Sequence, residues 1–178
     1  MLEGKNVNLK LVEKEDLPLL QEWYNRLDFF GEYNSLRQVS RAEMEKLLDR
    51  PVRPKSFFIQ KKDGTRVGGI ESRDLFPGSD EGGREIGYCV LPNERGHGYC
   101  TEAVNIMLDY TFLSTPVRSV RLFTLVKNLA SQRVAEKTGF KRDGIIRGVF
   151  CWGEWTDSLF YSILRDEWKG PRILKAFT

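Results

Sequence analysis

At 178 residues with 40% apolar side chains, the chain is long enough to bury a core as one compact domain over residues 1–178. Lys and Arg number 28 against 25 Asp and Glu, and a net charge of +3 without a dense basic block excludes a nucleic-acid footprint as the leading class. No apolar leader and no membrane-length apolar run occurs, and Cys89, Cys100 and Cys151 are odd in number without metal or redox spacing, so free thiols in the cytoplasm are expected.

Residues 6–12 alternate polar and apolar side chains and predict a strand. An amphipathic helix is expected to open at Glu15 and Asp16, with Pro18 in its first turn and Leu17, Leu20, Trp23, Tyr24 and Leu27 at helical spacing. Residues 29–36 read as an irregular aromatic stretch. Ser40, with Glu43 three residues on, forms a capping box for a helix over 41–49 that stops before Pro51. Residues 56–60 and 66–75 flank Lys62-Asp63-Gly64-Thr65 as a hairpin, and 76–83 form a glycine-rich loop. There follow a strand over 84–91, a helix over about 99–113, a strand over 120–126 and a short helix over 128–137 closed by Gly139. Two more strands are expected near 140–148 and 158–164. Strands with interposed helices indicate an α/β or α+β layered domain.

The stretch from Val90 to Val104 carries the most information. A strand ends at Pro92, an Arg95-Gly96-His97-Gly98 turn follows, and a helix begins. N–H groups at a helix start lack intrahelical partners and carry partial positive charge. Gly96 and Gly98 remove the side chains that would hold an anion at a distance. The combination suits a phosphate or pyrophosphate, with a plain positive-φ loop as the alternative.

Three blocks then carry a resemblance: Pro92-Asn-Glu-Arg-Gly-His-Gly-Tyr-Cys-Thr-Glu-Ala103, Asn128-Leu-Ala-Ser-Gln-Arg-Val-Ala-Glu-Lys-Thr-Gly-Phe140, and Trp155-Thr-Asp-Ser-Leu-Phe-Tyr-Ser-Ile-Leu-Arg-Asp-Glu-Trp168. In order and spacing they resemble the GNAT superfamily of acetyl-CoA-dependent N-acetyltransferases. The similarity is nearest the ribosomal-protein and peptide N-terminal acetyltransferase branch, which grades into polyamine and antibiotic acetyltransferases. The resemblance covers nearly the whole chain. It implies a single domain with a twisted, largely antiparallel sheet, central strands that splay beside the coenzyme, and flanking helices. Two positions depart from the family pattern. Asn93 stands where a Gln or Arg is usual, with Arg95 beside it to supply the charge. Ala135 stands where many relatives carry a tyrosine that protonates the departing thiolate.

The resemblance further implies acetyl-CoA as co-substrate and no metal. Its pantetheine arm would pair with the strand end at Cys89 and Val90. Main-chain N–H groups of Arg95, Gly96, His97, Gly98, Tyr99, Cys100 and Thr101 would hold its pyrophosphate, with the Arg95 side chain on phosphate or at a solvated rim. Asn128 would cap its helix and touch the arm, and Ser131 would bond the thiol side or its own backbone. The reaction is attack of a neutral amine on a thioester. An alkyl ammonium, with a pKa of about 10.4, must first lose its proton. Glu85 leads as the base, Glu71 is second, and Glu32 is a third acid able to hold a cationic substrate; each is otherwise an ordinary surface charge. A strand N–H near Cys89 or Val90 would polarise the carbonyl, and Tyr161 is a candidate stand-in for the thiolate's acid, against the plainer reading of one of the many tyrosines that strands carry.

Phe29, Phe30 and Tyr33, with Glu32 and Glu71, are the expected acceptor wall; the aromatic residues are equally candidates for the core, and Trp23 is expected there. Trp152 and Trp155 either flank the cleft or serve a homodimer at an edge strand. His97 has poor metal-ligand spacing to Cys89 and Cys100, with no fourth ligand. Cys100 at a helix start is a candidate acyl-enzyme thiol, against the simpler reading of a small side chain beside the coenzyme. The expected partners are acetyl-CoA and a primary amine: a peptide or protein α-amine, or a polyamine or aminoglycoside. No nucleic acid and no membrane are expected. A non-catalytic acyl-CoA-binding module is the competing reading.

Overall fold

Alternation in the sequence becomes pairing in the structure. The computed structural model describes residues 1–35, 37–48, 55–74 and 82–174. Strands β1 (Leu2–Glu3), β2 (Val7–Leu11), β3 (Lys55–Lys61), β4 (Arg66–Asp74), β5 (Arg84–Val90), β6 (Ser119–Leu125), β7 (Lys141–Cys151) and β8 (Glu154–Leu164) form one sheet in the order β1-β2-β3-β4-β5-β6-β8-β7. Every neighbouring pair is antiparallel except β5 with β6. Helices α1 (Leu17–Asn25), α2 (Leu27–Phe30), α3 (Arg41–Leu48), α4 (Tyr99–Ser114) and α5 (Leu129–Thr138) flank it, giving the expected mixed α/β architecture.

The parallel pair positions the site. β5 and β6 meet only at Arg84↔Val120 and Glu85↔Arg121, whereas β6 pairs along its full length with β8 on its other edge. Beyond Glu85 the two central strands part. The segment joining them is α4, whose Ile106, Met107, Leu108 and Phe112 are buried in the main core with Ile86 and Val90 of β5 and Leu122 of β6. Each such side chain contributes about 1.5–3 kcal/mol on burial. The opposite face carries a smaller cluster of Val12, Trp23, Phe29 and Phe58, which holds α1 and α2 against β3. Trp23 is therefore core, as expected.

The first helix differs from expectation. Lys14–Asp16 is a 3-10 turn, α1 ends at Asn25, and Arg26 is extended (φ −82°, ψ 127°), so Leu27 begins the separate short helix α2. The aromatic stretch is accordingly α2 followed by a 3-10 turn at Gly31–Tyr33 rather than irregular chain. Leu36, the end of the third helix beyond Leu48 and most of the 76–83 loop lie outside the described residues. The capping box is present: Glu43 N–H donates to Ser40 Oγ, and Glu43 Oε2 accepts from Ser40 N–H at 2.8 Å. The last two strands run longer than expected because a two-residue turn, Trp152-Gly153, joins them with φ 52° and 78°. Two positive-φ residues make this a type I′ geometry, which Asn-Gly would have signalled and Trp-Gly does not. Trp152 is held there by its Nε1–H, which donates to the Gly31 carbonyl at 3.1 Å.

A buried carboxylate fastens the end of the described chain. Asp109 on α4 is fully buried and accepts from the N–H groups of Arg172, Ile173 and Leu174 (2.8–3.1 Å) and from Trp168 Nε1 at 3.2 Å. All of these partners are donors, so an amide in place of the carboxylate would set N–H against N–H. Asp109→Asn should cost about 3 kcal/mol of stability, read as a lowered denaturation midpoint in urea. An unchanged midpoint would mean that this clasp does not hold in solution.

Candidate active site

Where β5 leaves β6, its free edge and its outer face border a cleft of about 200 Å³. The antiparallel register puts Arg73 opposite Glu85, Glu71 opposite Gly87 and Gly69 opposite Cys89, so these side chains share the face that looks into the cleft. Glycine at 87 leaves room for Glu71 to lean over the strand: a Cβ there would lie 3.6 Å from Glu71 Oε1. Phe29, Phe30 and Tyr33 from the α2 region close the cleft from above, with Tyr24 of α1 and Arg37 beside them. Phe29 is almost wholly buried and reaches the cleft only as the edge of the smaller core cluster.

The carboxylates differ. Glu85 is ion-paired through Oε1 to Arg73 Nη2. Glu71 lies farther from that guanidinium, at 3.8 Å. Burial pushes the Glu71 carboxyl up, Arg73 and Arg37 oppose the rise, and the charge on Glu85 adds to it; the net direction is upward. Glu32 is exposed and not among the residues lining the cleft.

The strand end offers a donor. Leu91 N–H donates to Val67 O at 2.9 Å, which fixes the alternation of the β4–β5 ladder. Cys89 N–H then faces β4, while those of Tyr88 and Val90 face the opening. Of the two donors expected near the strand end, Val90 N–H is the one directed outward. The Cys89 thiol donates to the Phe29 carbonyl, and burial pushes its pKa up to about 12.

After Pro92 the turn takes the expected shape. Gly96 and Gly98 have φ of 84° and 81°, and a Cβ on either would meet no atom within 4 Å. The N–H groups of residues 96–101 find no protein acceptor among the described residues, whereas Arg95 N–H donates to Pro92 O. The Arg95 side chain departs from expectation. Its Nε donates to Val90 O at 3.1 Å and its Nη2 to the carbonyls of Asp28 and Phe29, so it ties α2 to the end of β5 instead of facing the turn. These three carbonyls hold it there, the one at Phe29 shared with the Cys89 thiol. His97 is exposed, stacks on Tyr99 at 5.5 Å and has Nδ1 3.3 Å from Glu94 O. Cys100 is pushed up to about 12 by burial, which removes the thiolate that a covalent route needs.

Across the opening, Asn128 caps α5 by accepting from Ser131 N–H at 3.1 Å. The Ser131 hydroxyl meets the Tyr88 hydroxyl at 2.9 Å, and both residues line the cleft. Burial raises the Tyr88 pKa, against the Ser131 hydrogen bond, so the phenol stays protonated. Tyr161 instead lies in the main core at 2% exposure and is not among the lining residues, because β8 turns it inward opposite Leu122. Sequence reasoning missed Tyr88, Tyr24, Arg37 and Arg73. Alternation along β5 put Tyr88 on a strand, but only the packing of α5 sets it beside Ser131. Trp152 reaches a small recess that it shares with Tyr24, Phe30 and Arg37, whereas Trp155 is 74% exposed on the outer hairpin.

Known proteins share this fold. Residues 6–141 match the acetyltransferase (GNAT) domain family. The probable N-acetyltransferase YjcK of Bacillus subtilis (strain 168) is 28% identical over 94% of this chain and 98% of its own. The uncharacterized N-acetyltransferase YnaD of the same organism is 34% identical over 85 residues, and that match spans only 50% of its length. Among solved structures, a spermidine N-acetyltransferase from Vibrio cholerae in complex with CoA and spermine superposes with a TM-score of 0.77 (20% identity, 91% of this chain, 97% of that one). The ribosomal-protein-S5-alanine acetyltransferase from Vibrio fischeri gives 0.78 (18% identity, 94% and 98%). At these identities the two structures speak for the fold alone. The family match spans most of the chain, and with the splayed strands and glycine turn in place, the chain belongs to the GNAT acetyltransferases and is an N-acetyltransferase.

Proposed function

We propose that the protein transfers an acetyl group from acetyl-CoA to a primary amine by direct attack within a ternary complex. The observation that carries this reading is the opening between β5 and β6, bordered by the glycine turn at one end and the acceptor cleft on the neighbouring face. Acetyl-CoA would lie with its pyrophosphate on the N–H groups of residues 96–101 and its pantetheine arm along the free edge of β5. The Val90 N–H would polarise the thioester carbonyl. Glu71 takes the ammonium proton, directly or through water, because a carboxyl raised by burial is a stronger base than one held by a guanidinium. Glu85 then keeps Arg73 in place. This reverses the order in which the sequence ranked the two acids.

Protonation of the departing thiolate is assigned to the Ser131–Tyr88 hydroxyl pair, which supplies the acid lacking at Ala135. Ser131→Ala and Tyr88→Phe should each lower kcat by about 100-fold, with the double variant no worse than the weaker single one. Additive losses would mean that the two hydroxyls do not act as a unit.

Thiol release from acetyl-CoA, measured across peptides, polyamines and antibiotic amines, tests the whole reading. Release with an amine, accompanied by a rise in Tm on adding CoA, is the expected result. Coenzyme binding with no release across the panel would favour a non-catalytic acyl-CoA-binding module.

A further inference from the structure

The charges around the acceptor cleft bear on which amine it takes. Of the ionisable side chains lining it, two are carboxylates (Glu71, Glu85) and two are guanidiniums (Arg37, Arg73), so the cleft is balanced rather than acidic. Glu85 pairs closely with Arg73, whose guanidinium also lies 3.8 Å from Glu71. That leaves Glu71 on the floor and Arg37 at the rim, where Arg37 also borders the Trp152 recess. Arg37 is exposed and has no carboxylate within ion-pair distance among the described residues. Its guanidinium sits 6.0 Å from the centroid of the Phe30 ring, the aromatic face that an acceptor's second ammonium would otherwise use.

Resting on the acetyl-transfer reading above, we propose that the acceptor is an amine that also carries a carboxylate, with the amine on Glu71 and the carboxylate on Arg37. A polyamine would bring several positive charges to a cleft whose two carboxylates both have Arg73 within ion-pair distance and whose mouth carries a guanidinium without a carboxylate partner among the described residues, and the like-charge contact would weigh against it. A guanidinium suits a carboxylate because its fork of donors matches the two oxygens. Free amino acids and peptides with an acidic residue close behind the N-terminus share this chemistry.

The test compares kcat/KM for thiol release from acetyl-CoA with five acceptors: a short peptide with Asp at its second position and the same peptide with Asn there, a free amino acid and its amide, and spermidine. The carboxylate member of at least one pair should exceed its amide by about tenfold or more, the range of a charge-assisted hydrogen bond. Which pair shows the preference tells peptide from amino acid. In Arg37→Ala the ratio should fall towards one, and in Arg37→Glu it should invert, with CoA-induced stabilisation reporting that each variant is folded. Equal rates for carboxylate and amide in both pairs, a preference for spermidine, or a ratio unchanged in both variants would overturn the inference while leaving acetyl transfer standing. No thiol release with any acceptor would remove both.

Discussion

Glu71→Gln should lower kcat by about 10²- to 10⁴-fold, with coenzyme affinity unchanged. The amide keeps the shape of the side chain over Gly87 but cannot take a proton. The pH dependence makes the assignment specific. A base works only when ionised, and burial raises this carboxyl above its ordinary value of 4.5. The acid limb of kcat/KM should therefore lie above pH 4.5 in the wild type and disappear in the variant. Stability should move the other way. Below pH 4.5 the carboxyl is protonated in both folded and unfolded chains, and the raised folded pKa contributes its full stability. As the pH rises through the folded value that contribution is lost, because the buried group must then carry charge. The neutral amide escapes the loss, so Glu71→Gln should have a higher Tm than the wild type at pH 8 and the same Tm at pH 4. The side chain is partly exposed and Arg73 is 3.8 Å away, so the gain should be small. Full activity in Glu71→Gln with collapse in Glu85→Gln would return the base to Glu85.

The reason the sequence ranked Glu85 first shows where reading from residues runs out. Local chemistry was legible: the Ser40–Glu43 box, the Gly64 turn, the glycine pair before α4 and the Asn128 cap each depend on residues within a few positions of one another, and each is present. The ion pair that occupies Glu85 depends on the register of β4 against β5, in which Arg73 stands opposite Glu85 twelve positions along the chain. The same holds for Arg95. Its position two residues after Asn93 suggested a charge for phosphate, but the carbonyls of Asp28 and Phe29 come to it from a short helix, where the sequence indicated only the end of the preceding helix at Leu27 and an irregular stretch from Phe29. Tyr88 and Ser131 are 43 positions apart and meet only because α5 starts across the opening from β5. Local rules locate motifs; which side chain is free to act is decided by partners brought in from far along the chain.

Gly98→Ala should raise the Kd for CoA by about tenfold or more, and the geometry supplies its own control. Gly98 (φ 81°) and Gly148 (φ 72°) both have left-handed backbones, and a Cβ on either meets no atom within 4 Å. Each alanine should therefore cost about 1–2 kcal/mol of stability from backbone strain alone, without any clash inside the protein. Only at Gly98 would the added methyl, or the backbone shift that relieves it, disturb the N–H groups that open α4, and loss of one charge-assisted hydrogen bond is worth about 1.5–3 kcal/mol. Ligand-induced stabilisation separates the two effects: CoA at 100 times the wild-type Kd should add about 2.7 kcal/mol to the wild type and to Gly148→Ala. A tenfold weaker complex at the same concentration loses about 1.4 kcal/mol of that gain, a deficit of several degrees in the Tm shift. If both alanines respond to CoA as the wild type does, the diphosphate does not lie on this turn, and the coenzyme's path along β5 would have to be redrawn from its other end.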